Sequence, residues 1–263
     1  MKRLIDILTN VKQGVDLNSL NNATVRRSVI PTGSQPSQPE RREALNPPNH
    51  RQKVVQPVAR PPVATGIPSH QGVGTALQKG QKTSLTDFNA NLKTVDVCLG
   101  WDVEGKSQYD LDVECFLLGA NSKVIGDDWF VFYNQPVSPD GSVRHDGTHK
   151  TGDGCGDDEI LNINLAQLSP EVNRLVFILT INEAKERQLN FSGVKNAFIR
   201  VVDKSSNREL VRYLISEYYH SITSMVVGEI YRYKGEWKFT PIGEGTQDDL
   251  YGLCKRYGVV ISE

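Results

Sequence analysis

Acidic side chains gather at three places in this chain of 263 residues, each beside residues that let the backbone turn. The densest is "TGDGCGDDE", Thr151 to Glu159, where Asp153, Asp157, Asp158 and Glu159 alternate with three glycines and one thiol, Cys155. A second is "DLD", in which Asp110 and Asp112 share one face of a strand because successive side chains point oppositely. The third is Asp127 and Asp128, just ahead of "WFVFYN". Carboxylates this close repel one another unless something positive sits among them. Hard cations such as Ca²⁺ take about six to eight oxygen ligands, which carboxylates and loop carbonyls supply. Glycine lets the backbone curl so that carbonyls can turn inward. The chemistry these residues could do is therefore calcium coordination. The same composition has a plainer reading, since Asp and Gly form turns without any ion, Asp by bonding its own backbone. An EF-hand is excluded: the sixth position of a loop starting at Asp153 is Asp158, where glycine is required.

Two other chemistries use the same region. His145, His149 and Cys155 form an H-x3-H-x5-C series of nitrogen and sulfur donors, a set that zinc accepts. No second Cys/His pair accompanies it. A metal-dependent hydrolase could employ the acidic loops, but would need an added nucleophile, base or open metal position. The chain shows no Ser/His/Asp set, no glycine-rich phosphate loop and no HExxH, so an enzyme is not expected. Cys155 as a redox-sensitive thiol is disfavoured, because neighbouring carboxylates raise a thiol's pKa and reduce its thiolate fraction.

The elements that would position these residues lie in the last two thirds of the chain. All Trp, Phe and Tyr residues follow residue 84. There, short runs rich in Val, Ile, Phe and Tyr recur between turn formers: "VDVCLGW", "LDVECFLLG", "WFVFYN", "ILNINL", "RLVFILTIN", "NAFIRVV", "ELVRYLIS", "SMVVGEIYRY" and "EWKFTPIG". Each has strand length and strand composition. The last two read as a hairpin turning at Lys234-Gly235, where glycine supplies positive φ. So many strands with almost no helical period between them predict an all-β fold, an antiparallel β-sandwich. One short C-terminal helix is expected in "TQDDLYGLCKRYG", capped by Thr246, stopped at Gly258, and carrying Leu250, Leu253, Cys254 and Tyr257 on one face. Cys98 and Cys115 sit in apolar runs and read as small buried hydrophobes.

Residues 1–72 differ in kind. They hold ten Lys/Arg against four Asp/Glu, a net +6, whereas residues 73–263 hold twenty against twenty-seven, a net −7. Residues 1–20 could form a short amphipathic helix through Leu4, Leu8, Val11 and Val15, with too few cations for a strong membrane-surface case. Residues 21–72 carry nine of the thirteen prolines and no aromatic residue. Such a segment cannot bury enough apolar surface to offset its ordering entropy and is expected to be a disordered, basic N-terminal arm. The charge asymmetry suggests an interaction tail, while the lack of stacking aromatics makes nucleic acid a poor partner. The start lacks the apolar run of a signal peptide and no stretch approaches a membrane span, so a cytoplasmic, reduced setting is expected.

The motifs "KGQKTSL" (79–85), "GWD" (100–102), "DLDVECFLL", "FVFYNQ" (130–135), "DGSVRHDG", "GDDE", "NFSGVKNAFIRVV", "GEIYRYKGEWKF" and the closing "YG" occur in order. Together they resemble the TerD-type tellurium-resistance (stress-response) domain, over about residues 74–263. The resemblance implies a calcium-binding β-sandwich in residues 73–263, without enzymatic activity, acting with protein partners in assemblies near the membrane. It implies Ca²⁺ ligands among Asp110, Asp112, Asp127, Asp157, Asp158 and Glu159, with Asp153 at a commonly acidic position. Thr148 and Cys155 depart from that pattern, in which both positions are acidic. Thiols suit Ca²⁺ poorly, so one of the family's sites is expected to be weakened.

Overall fold

Apolar alternation decides the architecture, and β-strands dominate it. The computed structural model describes residues 74–103, 109–148, 156–217 and 220–260. The sequence readings for residues 1–20 and 21–72 lie outside them. The strands are β1 (Thr75–Ala76), β2 (Thr83–Ser84), β3 (Thr94–Val103), β4 (Leu111–Leu118), β5 (Phe130–Val131) and β6 (Val143–Thr148). They continue as β7 (Glu159–Asn164), β8 (Arg174–Ile181), β9 (Val194–Asp203), β10 (Arg208–Leu214), β11 (Ser224–Tyr233) and β12 (Glu236–Thr246), before helix α1 (Leu250–Tyr257). The first sheet runs β1-β10-β9-β3-β7-β6 and the second β2-β12-β11-β8-β4-β5, six strands each. Every pairing is antiparallel except β1 with β10. One apolar core joins the inward residues of both sheets, among them Val95, Val97 and Leu99 of β3 and Leu111, Val113, Cys115 and Leu117 of β4. The expected sandwich with a short C-terminal helix is what forms.

Strands differ in how many faces they bury. In β7 burial alternates strictly, with Leu161 and Ile163 inward and Asn162 and Asn164 half-buried. In β4 nearly every residue is buried, because α1 covers part of the second sheet's outer face. Phe116 stacks on Phe130 at 4.3 Å and meets Tyr257 of α1 at 4.6 Å. Leu253 and Cys254 turn inward from the helix, and both are fully buried.

Three local readings change. Asp249, not Thr246, caps α1: its side chain accepts the Gly252 N–H, while Thr246 ends β12. Thr246 serves instead as acceptor for the Asp248 N–H and the Arg256 guanidinium. Only Phe130–Val131 of "WFVFYN" pairs as a strand, because Phe132 and Gln135 exchange backbone bonds of 3.2 and 3.0 Å and the chain turns at once. Strand β6, "VRHDGT", is one that periodicity misses, since only Val143 is apolar. Neighbouring β7 supplies its hydrogen bonds, and tertiary pairing overrides the weak strand propensity. The hairpin tip has positive φ at both Lys234 (51°) and Gly235 (83°), as a type I′ turn demands.

Candidate metal centre

The end of the acidic loop is seated on the first sheet at several points. Gly156 lies against Gly100 so closely that a Cβ there would come within 2.6 Å of the Gly156 carbonyl oxygen. The pairing of β3 with β9 shifts register between Gly100 and Asp102, at the point of this approach. From there the three acids diverge. Asp157 is taken by Arg200, whose Nε and Nη2 donate to its two oxygens at 2.8 and 2.5 Å. Asp158, 3% exposed, donates its N–H to the Leu99 carbonyl and accepts the Trp101 N–H on Oδ2, both at 2.8 Å. Glu159 opens β7 opposite Leu99 and Thr148 and is fully buried.

Glu159 is the unusual member. His145 Nε2 stands 2.7 Å from its Oε2, and both side chains are buried. Neither carboxylate oxygen nevertheless receives a well-directed hydrogen bond among the described residues. The distance alone suits an ion pair, but the alignment does not, and direction governs the strength of such a bond. A buried carboxylate without donors is costly and calls for a compensating charge.

The remaining candidates scatter. Asp110 ends the approach to β4, its carbonyl accepting the Asn182 N–H at 2.8 Å and its Oδ2 the Asn182 amide at 3.3 Å. Asp112 lies half-buried on the outward face of β4, in register with Thr180. Asp127 is drawn elsewhere: its Oδ1 accepts the Val260 N–H at 2.7 Å and ties down the chain beyond α1. Asp153, His149 and Cys155 lie outside the described residues, as does the Thr148 side chain, so of the zinc series only His145 is placed. Among the described residues no three His, Cys, Asp or Glu side chains cluster as a ready metal cage.

One residue was missed in the sequence. Glu114, 1% exposed, follows Asp112 on the same face of β4, accepts the Thr180 hydroxyl at 2.7 Å on Oε1, and has no donor for Oε2 among the described residues. Burial pushes its carboxyl pKa well up, and the charges of Asp112 and Glu159 add to the effect. Tyr133 is moved by the same group of acids: burial, then Asp112, Glu114 and Asp110, push its phenol up to about 12. Asp112 and Glu159 thus both act on Glu114, although they come from two sheets. The strand period in "DLDVE" could have flagged Glu114 as the third acid of the series, but its burial under later elements could not be read from it.

The chain matches the TerD domain model over residues 73–257. It is 42% identical over 189 residues to the tellurium resistance protein TerD of Serratia marcescens, covering 71% of this chain and 98% of that protein. General stress protein 16U of Bacillus subtilis (strain 168) is also 42% identical over 189 residues, with the same coverage. A crystal structure of a telluride resistance protein homologue from Streptomyces coelicolor A3(2) aligns with a TM-score of 0.48 and 25% identity, over 61% of this chain and 94% of that one. By the family model and by relatives matched along almost their whole length, this chain belongs to the TerD family of tellurium-resistance and general stress proteins.

Proposed function

We propose that the protein is a non-enzymatic Ca²⁺-binding stress-response protein that acts through protein partners. The observation that carries the metal reading is Glu159, a fully buried carboxylate whose two oxygens lack directed donors among the described residues. A divalent cation at the end of the acidic loop would supply a compensating charge, and the carboxylate oxygens gathered there suit a hard ion, although the His145 ring also stands beside Glu159. Glu159, Asp153, Asp158 and the loop carbonyls are the residues to hold it, with Asp110, ahead of β4, and Asp112, on β4, as more distant candidates. Asp127 and Asp157 are weaker ligands, since Val260 and Arg200 already engage them. The ion would supply charge neutralisation and order for the loop. The fixed partners of Asp157, Asp158 and Asp127 support the non-enzymatic reading. The +6 charge of residues 1–72 against a −7 body supports action through partners.

Calorimetric titration with Ca²⁺, Mg²⁺ and Zn²⁺, paired with melting curves, tests the reading. A site present only in the fold stabilises it by about 2.7 kcal/mol when the free ion is at about 100 times its dissociation constant. Calcium is expected to raise Tm, and Glu159→Gln to abolish the rise. A wild-type Tm that ignores both calcium and chelator would sink the proposal.

A further inference from the structure

Three successive acids leave the loop in three directions, and Asp157 meets a guanidinium. Arg200 sits on β9, in register with Cys98 of β3 on one side and Arg212 of β10 on the other. Two of its nitrogens hold Asp157, and the third, Nη1, donates to Glu209 Oε2 at 3.0 Å. Glu209 is gripped in turn by Arg212, Nε to Oε1 at 2.9 Å and Nη2 to Oε2 at 2.7 Å. Arg212 lies over the Phe198 ring at 4.6 Å. The Arg200 and Asp157 side chains are only 15% and 13% exposed. Burial works against the Arg200 charge, but its bonds to Asp157 outweigh that and raise its pKa. The guanidinium is thus fixed from behind before it reaches the loop, with its fork aimed at a carboxylate that matches it.

A cation bound through Asp157 would have to displace this fork and leave a buried arginine half-paired. Gly156 against Gly100, Asp157 on Arg200 and Asp158 on Trp101 instead pin the segment so that Glu159 turns inward. We propose that Arg200 is the positioning residue of the acidic loop: it keeps Asp157 out of the cation's ligand set and fixes residues 156–159 in the pose that presents Glu159. The inference rests on the calcium reading for its function, but the latch itself can be read without metal.

Arg200→Lys preserves the charge and removes the fork, so it separates geometry from electrostatics. The full-length variant is expected to bind Ca²⁺ about ten-fold more weakly in calorimetry, a loss of bidentate hold rather than of charge. Asp157→Asn keeps one acceptor for Arg200 but loses the second bond of the fork, so it is expected to weaken binding by no more than Arg200→Lys does, about ten-fold at most. Tighter binding in Arg200→Lys would show that Asp157 is a ligand freed from a competitor and would overturn the proposal. Unchanged affinity with a lowered Tm would show a merely structural pair and overturn it equally. Should Arg200→Lys fail to fold, a greater than about ten-fold loss in Asp157→Asn overturns it, and a small loss upholds it. A flat wild-type calcium titration would sink the calcium reading alone. The latch is then judged by limited proteolysis of the metal-free proteins: faster cleavage within residues 149–159 of Arg200→Lys supports it, and unchanged cleavage removes it.

Discussion

Glu209 and Glu114 are both buried glutamates on outward strand faces, 6% and 1% exposed, yet they solve the problem of burial differently. On the first sheet, Glu209 accepts three hydrogen bonds from Arg200 and Arg212. Burial opposes its charge, but the two guanidinium groups hold its carboxyl below the usual range. On the second sheet, Glu114 accepts one bond, from Thr180, and burial together with the charges of Asp112 and Glu159 pushes its carboxyl pKa up. Guanidinium forks favour the ionised form of Glu209, whereas burial beside other acids favours the neutral form of Glu114. The first arrangement ties β9 to β10 and, through Arg200, to the loop ahead of β7. The second leaves a weak point under a helix.

Removing the paired member should do the most damage. Glu209→Ala leaves two little-exposed arginines without their shared partner, and such a loss costs about 3–5 kcal/mol. Urea unfolding would show it as a lowered midpoint, and a change below about 1 kcal/mol would mean that water replaces the carboxylate freely and the contrast with Glu114 is false.

The second test concerns Glu114 and pH. Its folded pKa lies well above the ordinary 4.5, so the folded state binds a proton that the unfolded state releases. Stability from this group is greatest below the unfolded value and falls as pH rises from there through the raised folded value. Glu114→Gln keeps an acceptor for Thr180 and cannot ionise. The variant is expected to lose this component of the decline between pH 5 and pH 8 and to exceed wild type at the alkaline end, read as denaturation midpoints at the two pH values. Identical pH slopes in both proteins would mean that Glu114 ionises normally, and the comparison between the two sheets would collapse.

The smallest effect is expected at the helix over Glu114. Asp249→Ala removes the acceptor for the Gly252 N–H and one partner of Lys185, at a cost of about 1 kcal/mol, nearly all from the cap. Thr246→Val, by contrast, leaves the cap intact, so its effect should be smaller in the same thermal melts. If the two rank the other way, the helix begins earlier than residue 250.

Much of the fold is legible from alternation and turn chemistry. "ILNINL" shows which side faces in, Lys234-Gly235 marks the hairpin, and Gly258 stops the helix with a φ of 83°. Each of these depends on neighbours along the chain, where the physics is local. The sequence likewise determined that Cys98 and Cys115 are buried hydrophobes, and that the acids cluster at strand ends. It also marked the first 72 residues off as a basic segment of different composition. What only the tertiary structure decided is which partner each acid meets. Asp157 and Asp158 are adjacent, yet one meets an arginine 43 residues away and the other a backbone N–H on β3. Asp127 holds Val260, at the far end of the chain. Strand β6 exists because β7 pairs with it, and Glu114 is buried because α1 packs over its sheet. The strand period fixes the side on which a residue emerges, but what waits on that side is brought by elements distant in sequence, and for a carboxylate that partner determines whether it binds, pairs or stays neutral.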